Sequence, residues 1–505
     1  MASSLLLAIG EQAFYSKPHA RVNIPKVSCD THRYIEEPPE IKGINPNILI
    51  SIKPYLGKSN NQVSVQGLKF QSNYGNLTLR DEKGLIHKAP EINIGWKKVP
   101  LLNSLKIRRK VIGPFASFES AETIASYLRK ERICAVIANP SKWEVWVSPD
   151  IKLPKEIKSN SVEKNIKYEL KPLLEIASNK YNLSGLVEIS STNGIKWEGG
   201  IYTGIFLLKP DAYGTWTLIE KISLEKYLEG VVPHEIGFNS PLSALKAQSV
   251  LARTWALANS KRYSVDGYHL CSSTQCQVYK NPNEASSSIK FAIQETSSQV
   301  LSVDGKPIKA FYHASNGGVT AKAEEAWHID NLRYLTGRVD APRIISRKYK
   351  LPLKSDQLNN LLSEKHDFYG SQHRLFRWRR IVSEQDIKEN LIKAKYIFDF
   401  PTIVNVLERG DSGRVLSLEI LGETKNSKVL LKLDEIRRTL PFLPSTLFKV
   451  KKLEEGVWEF YGGGFGHGVG LSQAGAIDLA LRGWSTRAIL NHYFPGTKYG
   501  PLPEQ

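Results

Sequence analysis

At 505 residues the chain is too long for one small core, so two or three domains are expected. Its 41% apolar content, with 21 Tyr and 10 Trp, excludes a disordered chain, and its formal net charge of +19 favours an acidic partner: nucleic acid, an anionic envelope polymer or a membrane surface. No zinc-finger, RRM or basic-zipper signature accompanies that charge, which ranks nucleic acid second, and no stretch approaches the ~20 apolar residues of a membrane span.

Residues 1–45 are polar and Pro-rich near Glu36-Glu37-Pro38-Pro39, without periodicity, and read as a leader or disordered segment. The opening MASSLLLAIG has an apolar patch but no basic n-region, so it is a poor signal peptide. Alternation in Ile48, Ile50 and Ile52 predicts a strand that opens a small α/β unit over 46–160. In "RRKVIGPFASFESAETIASYLRKERICAVIANPSKWEVWVSP" a strand ends at Val111-Ile112 and Gly113-Pro114 turns the chain. Ala121, Ile124, Ala125 and Leu128 then mark one helix face, and Glu144–Ser148 alternates as a second strand. The "GPF" turn resembles the peptidoglycan-binding SPOR repeat over about half of one; a small α/β spacer is the alternative.

Residues 161–505 read as one strand-rich domain with Gly turns ("EGGIYTGIFLL"), carrying a helix-poor, strand-rich insert over 340–450. Within the insert, "HRLFRWRRI" interleaves basic residues with Phe376 and Trp378. A strand with one solvated basic face is favoured there over a nucleic-acid grip. The fold class expected is α+β: a strand-rich catalytic domain with a few helices, plus the small N-terminal α/β unit.

The stretch "GVVPHEIGFNSPLSALKAQSVLARTWAL" places His234 and Glu235 among Val231, Val232, Ile236 and Phe238. A carboxylate among apolar residues is costly unless it is paired, hydrogen-bonded or protonated. Ser240-Pro241 predicts a helix start, with Ala244, Leu251, Ala252 and Trp255 on one face, Gln248 in its middle, and Lys246 and Arg253 on the opposite side. Gln248 is either a core amide satisfied by backbone or a cleft residue that positions Glu235. An ion pair from Arg253 or Lys246 to Glu235 would lower the Glu235 pKa; an apolar wall would raise it.

Six glycines fall in "GGGFGHGVG", a pattern that fits neither a dinucleotide fingerprint nor a P-loop. His467 sits on this arch, a context that favours a substrate-facing role, and Ser472 is placed to cap a helix running to Arg482. In "FYHASNGGVTAKAEEAW" a strand enters an Asn316-Gly317 turn. His313 and Ser315 share a strand face there, yet no G-x-S-x-G elbow supports a nucleophile, so turn chemistry is the better reading of the hydroxyl.

"LEKYLEGVVPHEIG", "ALKAQSVLARTWAL", "CSSTQCQVY", "FYHASNGGVTAKAEEAW" and "GGGFGHGVGLSQAGA…ILNHYFPGT", in this order over roughly 200–500, resemble the stage II sporulation protein D family, which includes the LytB amidase enhancers. The resemblance implies a peptidoglycan lytic transglycosylase with Glu235 as catalytic acid. Gln248, Arg253, Ser315, His467 and Gln473, which stand in those strings, are the expected substrate-binding residues. It implies peptidoglycan glycan strands and a cell-wall amidase as partners, no nucleic acid, and an extracytoplasmic, envelope location. The alternative is a non-catalytic, glycan-binding enhancer of an amidase.

Of four cysteines only Cys271 and Cys276 are neighbours in sequence. Some family members bind zinc here, which makes His269, Cys271 and Cys276 the expected ligands of a structural zinc; none is required for catalysis. Gln275 stands where a His often precedes the second Cys, and a Cys271–Cys276 disulfide is the competing reading.

Overall fold

The computed structural model describes residues 31–33, 35–57 and 67–501, and most of the expected leader lies outside them. The fold is mixed α+β. Its first sheet orders seven strands as Leu270–Cys271, Asn47–Leu56, Trp216–Ser223, Ile205–Pro210, Val187–Ser190, Leu77–Asp81 and Ile86–Ala89. Asn47–Leu56 forms where expected: Ile48 and Ile50 are fully buried, and Ile48 pairs with Ile222 across the antiparallel ladder.

The second sheet is built on a 25-residue strand, Glu91–Phe115, paired with Asn160–Ile176. Both sheets draw strands from either side of residue 160, so no boundary of the fold lies there. Long-range pairing of this kind leaves no local trace in a sequence. The helix α1 (Phe118–Lys130) buries Ala121, Ala125 and Leu128 as its periodicity predicts, and Ser117 caps it by accepting from the Ser120 N–H. This α/β unit is stapled to the rest of the chain: Arg262 Nη2 donates to Glu119 Oε1 at 2.5 Å and its guanidinium lies over the Phe118 ring. Two residues of the segment read as leader are likewise anchored to the fold. Thr31 and Ile35 are buried, and the Thr31 carbonyl accepts from Arg109 Nη1.

The strand Trp216–Ser223 runs directly into α2 (Leu224–Ile236), which packs on α3 (Leu242–Ala258). Both helices contribute to the largest apolar cluster, with Leu228, Val231, Val232, Leu251 and Trp255. Ser240 does not cap α3; its hydroxyl donates back to the Ile236 carbonyl, and Pro241 takes the cap position. Nor is α3 two-sided. Every residue from Ala247 to Ala256 is buried, Arg253 included, because helices and strand pack around it.

The 340–450 segment is less helix-poor than expected: it holds helices Arg343–Ser346, Ser355–Ser363, Glu384–Lys393 and Asp434–Thr439 beside its strands. In "HRLFRWRRI" the strand is Trp378–Ser383, with Arg379 exposed and Phe376 and Trp378 buried. Aromatic rings in the core offer no platform for stacking bases. Among the described residues no helix is long and apolar enough to cross a membrane.

Candidate active site

Glu235 lies on the last turn of α2 and is half-buried. Three donors converge on it. The Val278 N–H donates to Oε1 at 2.7 Å, and the side chains of Tyr312 and Gln473 hydrogen-bond the same carboxyl. Each favours the charged form, yet burial outweighs them and holds Glu235 above the ordinary carboxylate range. A helix C-terminus, where the backbone dipole is negative, acts in the same direction. Among the described residues no cation pairs with Glu235. Arg253 pairs with Glu225, and Lys246 with Glu295 at 3.5 Å.

Of the apolar neighbours, Val231, Val232 and Ile236 are buried in the core; Phe238 is 40% exposed and packs edge-on against His234. Phe238 is therefore not part of the wall. His234 lies 3.6 Å from Glu284, and burial lowers its pKa.

The donors are themselves held. Tyr227 Oη donates to Gln277 Oε1 at 3.1 Å, and Gln277 Nε2 donates to Tyr312 Oη at 2.9 Å. Burial first, and then the Glu235 charge, push the Tyr312 phenol far up, so Tyr312 stays protonated and donates to Glu235. On the other flank Gln473 Nε2 donates to Gln248 Oε1 at 3.4 Å. Gln248 thus acts one residue removed from Glu235. Its own Nε2 is buried without a partner among the described residues.

Strand pairing brings these groups together. Tyr312 and His313 run parallel to Leu471 and Ser472, which sets the first residue of helix Gln473–Leu481 beside Tyr312. Ser472 caps that helix, as expected, by accepting from the Gly475 N–H. Close approach requires the glycine arch. At Gly470 (φ +73°) a Cβ would stand 2.1 Å from the Phe311 carbonyl oxygen.

Three expected substrate ligands lie elsewhere. Arg253 is 1% exposed and bound to Glu225 and the Gln299 carbonyl. Ser315 is buried; its backbone bridges Phe465 and its hydroxyl accepts from the Gly317 N–H, which is turn chemistry. His467 is tied by both ring nitrogens, Nδ1 accepting from the Val469 N–H and Nε2 donating to the Tyr312 carbonyl, and burial lowers its pKa to about 4. Both contacts hold the ring against the arch.

The expected zinc ligands do not fit a metal. Cys271 and Cys276 are joined in a disulfide, which removes both thiolates. His269 has no free nitrogen: Nδ1 accepts from the Leu49 N–H at 2.8 Å and Nε2 donates to the Pro39 carbonyl at 2.8 Å. Among the described residues no group of three or more His, Cys, Asp or Glu could hold a metal ion. Gln275, the departure noted in the sequence, accepts from Trp143 Nε1 at 3.2 Å. The disulfide closes the loop that leads straight into Gln277 and Val278, so a covalent bond ties the segment that was expected to need an ion.

Tyr312, Gln277 and Val278 were missed in the sequence. Tyr312 stood beside the more conspicuous His313, and a backbone N–H carries no side-chain signal at all.

Residues 212–302, which hold Glu235, match the family described as Stage II sporulation protein. Residues 321–470 match a family described as a domain of unknown function (DUF8618), and this covers the 340–450 segment. The chain is 29% identical over 295 residues to the amidase enhancer of Bacillus subtilis, covering 54% of this chain and 40% of that protein. It is 26% identical over 298 residues to stage II sporulation protein D of Bacillus amyloliquefaciens, covering 55% of this chain and 74% of that one. An uncharacterized protein of Brachyspira hyodysenteriae is 26% identical over 312 residues, 60% of this chain and 72% of its own length.

Proposed function

We propose that the chain, whose residues 212–302 match the family described as Stage II sporulation protein and hold Glu235, is a peptidoglycan lytic transglycosylase with this residue as its general acid and base. A half-buried Glu with a raised pKa and no counter-ion among the described residues carries the reading. Such a group is protonated closer to neutral pH than an ordinary Glu and can give its proton to the glycosidic oxygen between MurNAc and GlcNAc. The bond to the anomeric carbon then breaks, and the leaving sugar departs as an alcohol. The Glu235 carboxylate, steadied by Val278 N–H, Tyr312 and Gln473, next takes the proton of the muramoyl 6-hydroxyl as that oxygen attacks the anomeric carbon. The ring closes as 1,6-anhydroMurNAc and Glu235 is again protonated. One carboxyl serves both steps because the nucleophile is intramolecular, unlike the paired carboxylates that activate water.

The reading places the protein outside the cytoplasm, at the envelope, where the Cys271–Cys276 bond persists. A second reading is favoured by the amidase enhancer relative: a glycan-binding protein that stimulates a cell-wall amidase without cleaving glycan. Incubation with isolated sacculi, with and without an amidase, separates them. Anhydro-muropeptides released by the wild type alone, and lost in Glu235→Gln, support the enzyme. Stimulation of the amidase that persists in Glu235→Gln, with no anhydro product from either protein, supports the enhancer.

A further inference from the structure

The ribbon formed by Glu91–Phe115 and Asn160–Ile176 pairs continuously except at one place. Between the pairs Pro100↔Tyr168 and Leu105↔Ile166, the residues Leu101, Leu102, Asn103 and Ser104 stand opposite the single residue Lys167. Four residues facing one cannot all stay in the ladder, so the segment bulges outward. Leu102, on the bulge, has its whole side chain in water at 104% relative exposure, and Tyr168, which pairs with Pro100 at the edge of the bulge, is 50% exposed. Among the described residues neither belongs to an apolar cluster.

Exposed cations surround this protrusion: Lys97, Lys98, Lys106, Arg108, Lys164 and Lys167. Opposing them are Glu163, 3.9 Å from Lys106, and the half-buried Glu169, already paired with Lys171 at 2.9 Å. Lys98 Nζ lies 4.4 Å above the Tyr168 ring, so the cation and the aromatic face are presented together.

Cations alone would suit any polyanion. A fully hydrated leucine next to a tyrosine gains free energy only where an apolar phase lies just beneath the negative charges, and among polyanionic surfaces that describes a lipid bilayer and neither nucleic acid nor a hydrophilic wall polymer. We propose that this bulge docks the protein on an anionic membrane surface, with Leu102 and Tyr168 entering the headgroup region and the flanking Lys and Arg side chains meeting acidic headgroups. The proposal is independent of the glycan-cleaving reading.

Co-sedimentation of the full chain with vesicles tests it, using phosphatidylcholine alone or mixed with phosphatidylglycerol. Duplex DNA and polyphosphate serve as lipid-free polyanions. The wild type should partition onto the mixed vesicles and not onto phosphatidylcholine alone. Leu102→Asp should lower that partition about tenfold, combining one lost insertion with one added repulsion, and should leave binding to DNA and polyphosphate nearly unchanged. Lys164→Glu with Lys167→Glu should weaken all three. These side chains are exposed, and unchanged circular dichroism would verify the fold. The proposal is overturned if mixed vesicles fail to bind, if Leu102→Asp binds them as the wild type does, or if DNA is bound more tightly than the vesicles.

Discussion

Arg253 grips Glu225 with two hydrogen bonds, Nε to Oε1 at 2.7 Å and Nη2 to Oε2 at 2.6 Å, and is thereby withheld from Glu235. The pair is bidentate and Arg253 is 1% exposed, so the two charges compensate each other inside the core. Removing one partner would leave the other buried and unpaired. Arg253→Leu should therefore cost about 3–5 kcal/mol in urea unfolding. It should also leave the pH dependence of glycan cleavage where it was. A shift of that profile would mean that Arg253 acts on Glu235 after all.

Tyr312 donates to Glu235, whereas burial opposes the charge. Tyr312→Phe removes a bond to the ionised form, so the Glu235 pKa rises further above the ordinary range. Anhydro-muropeptide release should then extend to higher pH, because protonated Glu235 survives longer there. At a pH where the wild type is already protonated the rate should fall, since the carboxylate formed in the first step has lost one donor. An alkaline limb that stays put, or moves to lower pH, would remove Tyr312 from the site.

The Cys271–Cys276 bond closes a short loop ahead of Gln277 and Val278. Loop-closure entropy for so short a ring amounts to about 2 kcal/mol. Replacing both cysteines by Ser should lower stability by about that much, and should lower activity as well, because the Val278 N–H and the Gln277 amide lose their fixed positions. Chelators should leave the melting temperature unchanged while a reductant lowers it. A melting temperature that responds to chelator and not to reductant would restore the zinc expectation.

What the sequence revealed and hid follows from the range of each signal. Ile48 and Ile50, the Ser472 cap and the apolar face of α1 were legible because the cause lies within a few residues of the effect. Glu235 stood out because a carboxylate among Val231, Val232 and Ile236 demands an explanation. Arg253 was misplaced because helical spacing puts it on the side away from Trp255, and only tertiary packing shows that this side is also buried. For His467 the glycine-rich context suggests an open loop, whereas both imidazole nitrogens are occupied by backbone groups. The Tyr227–Gln277–Tyr312 relay joins three distant segments, and no local pattern could announce it.

The arch offers a backbone test. Gly470→Ala would force a Cβ to within 2.1 Å of a carbonyl oxygen, at a φ that L-residues rarely adopt. The parallel pairing of Tyr312 with Leu471 should give way, separating Gln473 from Glu235. Both thermal stability and cleavage should drop sharply. Gly483→Ala also has positive φ but meets nothing within 4 Å, so it should cost only the local strain and leave activity in place. Equal effects from the two substitutions would show that close approach at Gly470 is not what matters.

Glu220 supplies a prediction about stability alone. It is fully buried, accepting from Tyr279 Oη at 2.7 Å and from the Gly204 N–H at 2.9 Å, and burial raises its pKa to about 7. In the unfolded chain the same carboxyl titrates near 4.5. Between those two values the folded state holds a proton that the unfolded state has released, so the unfolded state binds fewer protons and stability must fall as pH rises. The decline begins near pH 4.5, ends a little above pH 7, and reaches on the order of 3 kcal/mol. Glu220→Gln cannot titrate. Its amide faces two donors, which imposes a penalty of its own, but that penalty is the same at every pH. Urea unfolding of the two proteins from pH 4.5 to 7.5 should therefore give curves of different slope, the variant gaining on the wild type throughout the window. Parallel curves would mean that Glu220 is already ionised in the folded protein at the acid end, and that the buried Tyr279 and Gly204 donors outweigh desolvation.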